Sequence, residues 1–567
     1  MIVDTLACIA LVLGVAFGLS LPLVGRFRFS PAETVVAGVG LSLIIAWGLA
    51  WAVFVSGCPL WAYGVVPLLA AVSLAVRWRA AAGLLADPAA RELIAGQLLV
   101  TGWCVGLLSF VKSHSGGAWT GDAFEHWERA LYFLRGWPHD RLFIDLFELP
   151  ARPPLANVLA AAFIRLSGAD YAHFQLVTTI LCCLAFLPVG LLAGRFGGRP
   201  AVRVAAVVVM VNPLFVQNAT YPWTKLQTVF FILAALYFFL RVRDRGEASG
   251  RAAIACALLL GGAVVTHYSA GPYVVAIGIA WLAMGIARRW DGGFARTTVL
   301  AAAAGACVLA PWFAWSVSEY GWHETFLSNS TVTMSKVPGN HLLKMALTLR
   351  DSVLPPQVRG FSGTLFRQSS PWGALRDQFF IIYQLNLLLA MGLVGWAVTL
   401  REAVRAARAA PSGERRFWIP WVAAVIVLSF AAYADHDHYG NAHICLQSLV
   451  LLGLAFLSSR WGSLGRGWRA ALAIGWAVDL AFGIALQFAV EDFALDRWLN
   501  PGMTLGQVSQ TYNVVAQENL SEKIIAHQAY FSDILAVRPE LVLALMGALL
   551  CMALLRASRT AATPAPP

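Results

Sequence analysis

Charge is what this sequence has least of. Of 567 residues only 13% are Asp, Glu, Lys or Arg, against roughly 25% in a soluble domain. Hydrophobic residues reach 59% and the mean hydropathy is +0.68. A water-soluble globule of this length is excluded, and so is a disordered chain, which is poor in apolar residues. Lysine is scarcer still, with five against 36 arginines. No two of the nine cysteines stand at C-x-x-C spacing, and the long polar loops contain none. That leaves no basis for a disulfide framework or a zinc ribbon. There is no G-x-x-x-x-G-K-[ST] loop, so nucleotide hydrolysis does not drive this chain. No Lys or Arg precedes the first apolar run. A signal peptide needs a basic start, so that run reads as a retained span with residue 1 outside and Arg26 inside.

What is abundant is apolar runs of about 15–25 residues, each long enough to cross a bilayer. They lie near 2–24, 34–56, 59–76, 93–111, 172–194, 201–217, 223–240, 252–266, 268–287, 297–317, 379–400, 417–433, 441–459, 470–488 and 540–556. The expected fold is an all-α polytopic membrane protein with about 15 transmembrane helices. Its 22 Trp and 32 Phe suit helices that end at a membrane interface. The net charge of +11 does not point to nucleic acid. Threading the spans puts 25 of the 41 basic residues into short inside gaps, all of them Arg, while the five lysines fall outside. This is the positive-inside pattern of a bacterial inner membrane protein. Three long loops, 112–171, 318–378 and 489–539, fall outside, and juxtamembrane helices are expected in them. Phe124, Trp127, Leu131 and Leu134 recur at helical spacing, which predicts a helix lying along the surface. The short apolar segment 153–168 reads as a juxtamembrane or re-entrant helix.

The chemistry concentrates in the first outer loop, GGAWTGDAFEHWERALYFLRGWPHDRLFIDLFELPARPPL. Asp122 stands where the span turns into the outer helix, and Glu125, His126 and Glu128 follow within about one helical turn. A carboxylate there suits deprotonation of an acceptor hydroxyl or amine. The alternative is that these acids only solvate an exposed face. Downstream come Arg152-Pro153-Pro154-Leu155, an Arg-rich inside turn, Tyr221-Pro222-Trp223-Thr224-Lys225, and His267-Tyr268 at the outer junction of two spans. Lys225 at an outer helix start suits a lipid phosphate; it equally suits a snorkelling anchor.

In this order of features, over roughly residues 93–320, the chain resembles the C-type glycosyltransferase superfamily. Within it, the chain is most similar to the protein O-mannosyltransferase and lipid A aminoarabinose transferase branch. The resemblance implies a membrane enzyme that moves a sugar from a polyprenyl-phosphate carrier to an extracytoplasmic acceptor with inversion. It implies Asp122 as catalytic base, with Glu125 the nearest second acid because Ala123 follows the first. It also implies substrate contacts at His126, Arg152, Tyr221, Lys225, His267 and Tyr268. An ionised Asp122 among such cations is expected to have a depressed pKa. The layout divides into extra spans at 1–92, a core at 93–320 and further spans at 321–567.

A second polar cluster, ADHDHYGNAHICLQ, carries Asp437, His438 and His443 beside Asp435 and His436. A donor-phosphate or sugar-binding turn, a divalent metal site and a solvated loop all fit it. No established ligand spacing is present, so no cofactor is assigned. Lys336, Lys344, Arg350, Arg359 and Arg367 add an outer basic loop suited to an anionic partner. The expected partners are a polyprenyl-phosphate sugar, membrane lipids and a glycan, lipid or protein acceptor. A transporter or flippase, or a polymerase or ligase of lipid-linked glycans, shares the composition. The absence of a clear repeat and the clustering of polar residues at outer helix ends favour the transferase.

Overall fold

The computed structural model describes residues 2–111, 114, 121–144, 147–245, 250–328, 339–354, 382–433, 444–486, 529–535 and 538–558. Among them the fold is helical throughout, with one isolated bridge between Phe143 and Phe147. Ten helices are long and apolar enough to cross a membrane. An eleventh comes from Leu60–Val76 with Trp78–Ala86, a pair bent by 73°.

That number is smaller than the expected 15 partly because neighbouring spans run together. The stretch Tyr171–Val211 has 41 residues and would extend roughly 60 Å if straight. It reverses instead at Gly198, whose φ of 73° lies in the region glycine tolerates best, with Pro200 just beyond. His114 packs at its start: its Nε2 meets Tyr171 Oη at 2.8 Å, and its ring lies 4.7 Å from that of Tyr221, which follows the next helix, Pro213–Thr220. At the bend, a Cβ on Gly197 would come within 2.8 Å of the Ser459 backbone, so two helices touch there through glycine. Other expected spans fold as helices too short to be counted, such as Gly250–Thr266 with 17 residues and Gln447–Arg460 with 14. One differs in kind. The expected span at 379–400 is not a continuous helix: a 3-10 turn at Leu389–Met391 and Gly392 at φ 91° interrupt it before Gly395–Ala409 begins. Asp479 secures the break, accepting from Tyr383 Oη at 2.6 Å and Leu393 N at 3.0 Å.

The helices of 171–245 are sheathed by others and form the centre of the molecule. Tyr268–Ala287, Gly292–Leu327, Ser412–Ala432 and Pro539–Ser558 instead present apolar side chains outward, among them Ile279, Leu282, Val299 and Leu543. Charge separates to the two ends. Glu33 pairs with Arg241, Glu92 with Arg203 and Arg556, Asp244 with Arg195, Glu414 with Arg243, and Glu402 with Arg401, Arg405 and Arg460. Every one of these arginines belongs to the set that charge counting placed inside. The site described next lies at the other end.

Candidate active site

The helix Gly121–Arg135 carries the first residues of the site, and it does not lie on the surface. Ala123 to Leu134 are all buried. Its apolar side packs on Leu155–Ser167 and on rings from other helices: Trp127 on Phe174 at 5.3 Å, and Phe133 on Phe54 at 4.9 Å. Its polar side faces an interior rich in charge. Periodicity alone does not separate a face turned to water from one turned to a polar hollow.

Glu125 is the hub. Arg129, one turn on, donates to Oε1 at 2.8 Å, and Arg152 approaches Oε2 at 3.3 Å. Both oxygens of one carboxylate are thus shared between two arginines. Arg129 also donates to the carbonyls of Leu149 and Glu148, at 2.8 and 2.9 Å. These bonds fix the 3-10 turn Leu149–Ala151 that delivers Arg152. The two guanidinium groups lie over a matched pair of rings, Arg129 over Phe143 at 4.4 Å and Arg152 over Phe147 at 4.8 Å. Phe143 and Phe147 bond each other in both directions, at 2.8 and 3.1 Å. Glu128 secures the same turn by accepting from Ile144 N at 2.9 Å, where φ is 45°.

Asp122 and Lys225, far apart in sequence, lie within electrostatic reach of each other. Lys225 is the strongest opposite charge acting on Asp122, with Arg152 next, and Asp122 is the strongest charge acting on Lys225. The Lys225 ammonium lies 3.7 Å from the centre of the Trp223 ring, which packs at a tilt against Tyr221 at 4.2 Å. Asp122 stays partly exposed while Glu125, His126 and Arg129 beside it are buried, so it stands at the accessible edge of this polar cluster. Burial raises its pKa above the ordinary carboxylate value, and the nearby Lys225 and Arg152 only partly offset this. The expected depression is therefore reversed: desolvation outweighs the cations. Burial also opposes ionisation of Glu125, but Arg152 and Arg129 outweigh it and hold that carboxyl below its ordinary value. The two acids thus differ in character, one reluctant to ionise and one fixed as an anion.

Two histidines complete the cluster. His126 Nδ1 lies 3.1 Å from Asn157 Oδ1, and burial pushes its pKa down to about 3. His267 Nδ1 accepts from Ser269 N at 3.0 Å, which places the ring proton on Nε2. Burial, with Arg152 and Lys225 nearby, lowers its pKa well below the usual histidine value. Tyr268 Oη donates to Pro150 O at 3.1 Å, tying this junction to the Arg152 stretch.

Asp122, Glu125, His126, Arg152, Lys225 and His267 therefore converge, with Tyr221 and Tyr268 as supports. Arg129 and Asn157 were not foreseen. The Glu125-to-Arg129 spacing of four was a visible sign of the first; nothing in the sequence marked the second. Asp437, His438 and His443, with Asp435 and His436, lie outside the described residues, as do Lys336, Arg359 and Arg367. Tyr433 and Cys445, which flank that cluster in sequence, lie within electrostatic reach of Arg152 and Lys225 respectively. Lys344 and Arg350 are described, and Arg350 pairs with its neighbour Asp351 at 2.8 Å. Among the described residues no three His, Cys, Asp or Glu side chains come together as a metal site. Two anchors flank the last long polar segment. Leu486 is buried against Tyr383, and Phe531 N donates to Gln175 Oε1 at 2.8 Å while Tyr530 meets Tyr171 edge-on at 5.3 Å.

No curated protein matches the chain. Among solved structures it is similar to ArnT from Cupriavidus metallidurans bound to undecaprenyl phosphate, at 16% identity and a TM-score of 0.45, covering 82% of this chain and 74% of that one. The same protein in the apo state aligns at 15% identity and a TM-score of 0.46, covering 81% and 76%. Residues 151–315 match the family model described as dolichyl-phosphate-mannose-protein mannosyltransferase. Over that segment, which supplies Arg152, Lys225 and His267 to the polar cluster, the chain is similar to the dolichyl-phosphate-mannose-protein mannosyltransferase family.

Proposed function

We propose that this protein is a membrane glycosyltransferase that moves a sugar from a polyprenyl-phosphate carrier to an extracytoplasmic acceptor. The observation that carries the reading is the convergence of Asp122, Lys225 and Arg152 within electrostatic reach of one another, at the end of the molecule opposite the arginine-rich ion pairs. A lipid-phosphate sugar stays in the bilayer through its tail. Lys225 and Arg152 hold its phosphate and neutralise the charge that grows on the leaving oxygen. Asp122 takes the proton from the acceptor hydroxyl or amine. The acceptor atom bonds to the anomeric carbon from the face opposite the phosphate, the bond from that carbon to the phosphate oxygen breaks, and polyprenyl phosphate departs. The sugar leaves with inverted configuration. A raised pKa makes Asp122 a better base than an ordinary carboxylate, provided it is ionised at the working pH.

His126 and His267 stay neutral and contact the sugar or phosphate as hydrogen-bonding groups. Tyr221 and Tyr268 shape the wall, and Asp437, His438 and His443 complete the donor site. The family match over residues 151–315 supports the donor class.

The test is a radiolabel-transfer assay with purified full-length protein, undecaprenyl-phosphate-linked sugar and candidate lipid, glycan and protein acceptors. Label should move to an acceptor, and Asp122→Asn should lower transfer by at least about 100-fold at unchanged expression. Full activity in Asp122→Asn overturns the base assignment. Movement of intact lipid across vesicles without transfer replaces the enzyme with a flippase.

A further inference from the structure

Arg129, absent from the residues that the sequence reading assigned to the site, bears on how the site binds an anion. Arg129 is wholly buried, whereas the Arg152 side chain keeps 8% exposure. Arg129 sits at 2.8 Å from Glu125, and Arg152 at 3.3 Å. The carboxylate is therefore held more tightly by the more deeply buried guanidinium. We propose that Arg129 is a positioning residue: by engaging Glu125 Oε1 and the carbonyls of Glu148 and Leu149, it keeps Glu125 from capturing Arg152 and so reserves Arg152 for a lipid phosphate.

The physical basis is competition. A carboxylate has two oxygens and pairs best with one guanidinium in a two-pronged, coplanar fashion. With Arg129 on one oxygen, that arrangement is denied to Arg152. Without Arg129, the orphaned Glu125 oxygen sits buried next to Arg152, and closing onto it satisfies both. A phosphate would then have to break a complete ion pair to bind. The ring pair Phe143 and Phe147 supports the same division, because each arginine lies over its own ring. Glu125 is on this view a shared counter-ion that aims Arg152, while proton transfer falls to Asp122. The inference rests on the lipid-phosphate reading of the site.

The test measures binding of undecaprenyl phosphate to the purified full-length protein, which does not depend on turnover. Arg129→Met should weaken binding about tenfold, and Glu125→Gln added to it should restore binding to within about threefold of the wild type, since neighbouring charges couple by such factors. A purely structural Arg129 gives the opposite, with the double variant at least as poor as the single. Should Arg129→Met fail to fold, as thermal melting would reveal, Glu125→Gln alone decides. It keeps the shape, removes the competing charge and should bind undecaprenyl phosphate at least as tightly as the wild type. Weaker binding in that variant overturns the proposal. Wild-type protein that binds no undecaprenyl phosphate overturns the donor reading and, with it, the purpose assigned to Arg129.

Discussion

At the scale of single residues, the site runs on a contrast between carboxylates three positions apart. Asp122 has a raised pKa through burial, and Glu125 a lowered one through its arginines. If ionised Asp122 is the base, kcat/KM falls as pH drops, and the acid limb lies above the value of about 4 of an ordinary aspartate. A limb at or below that value, measured on the transfer reaction, contradicts the role. The two neutral histidines make a separate prediction about stability. His126 is depressed to about 3 and His267 well below its usual value, so below pH of roughly 6.5 the unfolded chain takes up protons that the folded one refuses. Stability is complete above that pH and declines on acidification, by up to about 1.4 kcal/mol per pH unit for each histidine. Thermal unfolding between pH 7 and 5 measures this, and His126→Asn, which retains a donor toward Asn157, should flatten the slope. Sequence reading picked out the histidines but not their partners, because Asn157 carries no pattern of its own.

At the scale of elements, hydropathy located most helices and misread two. The Gly121–Arg135 helix has the apolar stripe and acidic face of a surface helix, yet it is buried, since its acidic face meets arginines rather than water. The 379–400 run is apolar enough to span but is broken at Gly392. Apolar character specifies burial, not continuity, and the break depends on Asp479, a residue 87 positions further on. Asp479→Ala leaves Tyr383 Oη and Leu393 N without their acceptor. It should lower stability by about 1–3 kcal/mol through those buried donors. An unchanged melting temperature would show that the break holds without it.

At the scale of the whole molecule, arginine placement was the most legible signal. Short inside gaps predicted from charge counting are joined in the structure by ion pairs at one end. Arg77 lies 3.9 Å from where a Cβ on Gly25 would stand, as two gaps on the same side require. At the other end, Tyr63 Oη donates to Phe133 O at 3.1 Å, placing the loop with Cys58 on the side of the polar cluster. Cys58 is exposed, so a membrane-impermeant maleimide should label it in intact cells, and Cys58→Ala should abolish that label. Labelling only after permeabilisation would invert the orientation proposed for the active site.

The two shoulders of the last outer loop have a further consequence. Leu486 is clamped by Tyr383, and Phe531 by Gln175, on framework that does not involve the residues between them. Each anchor is a separate handhold: Gln175→Ala removes the acceptor for Phe531 N and leaves the packing of Leu486 on Tyr383 untouched, so one rim of the framework can be loosened without the other.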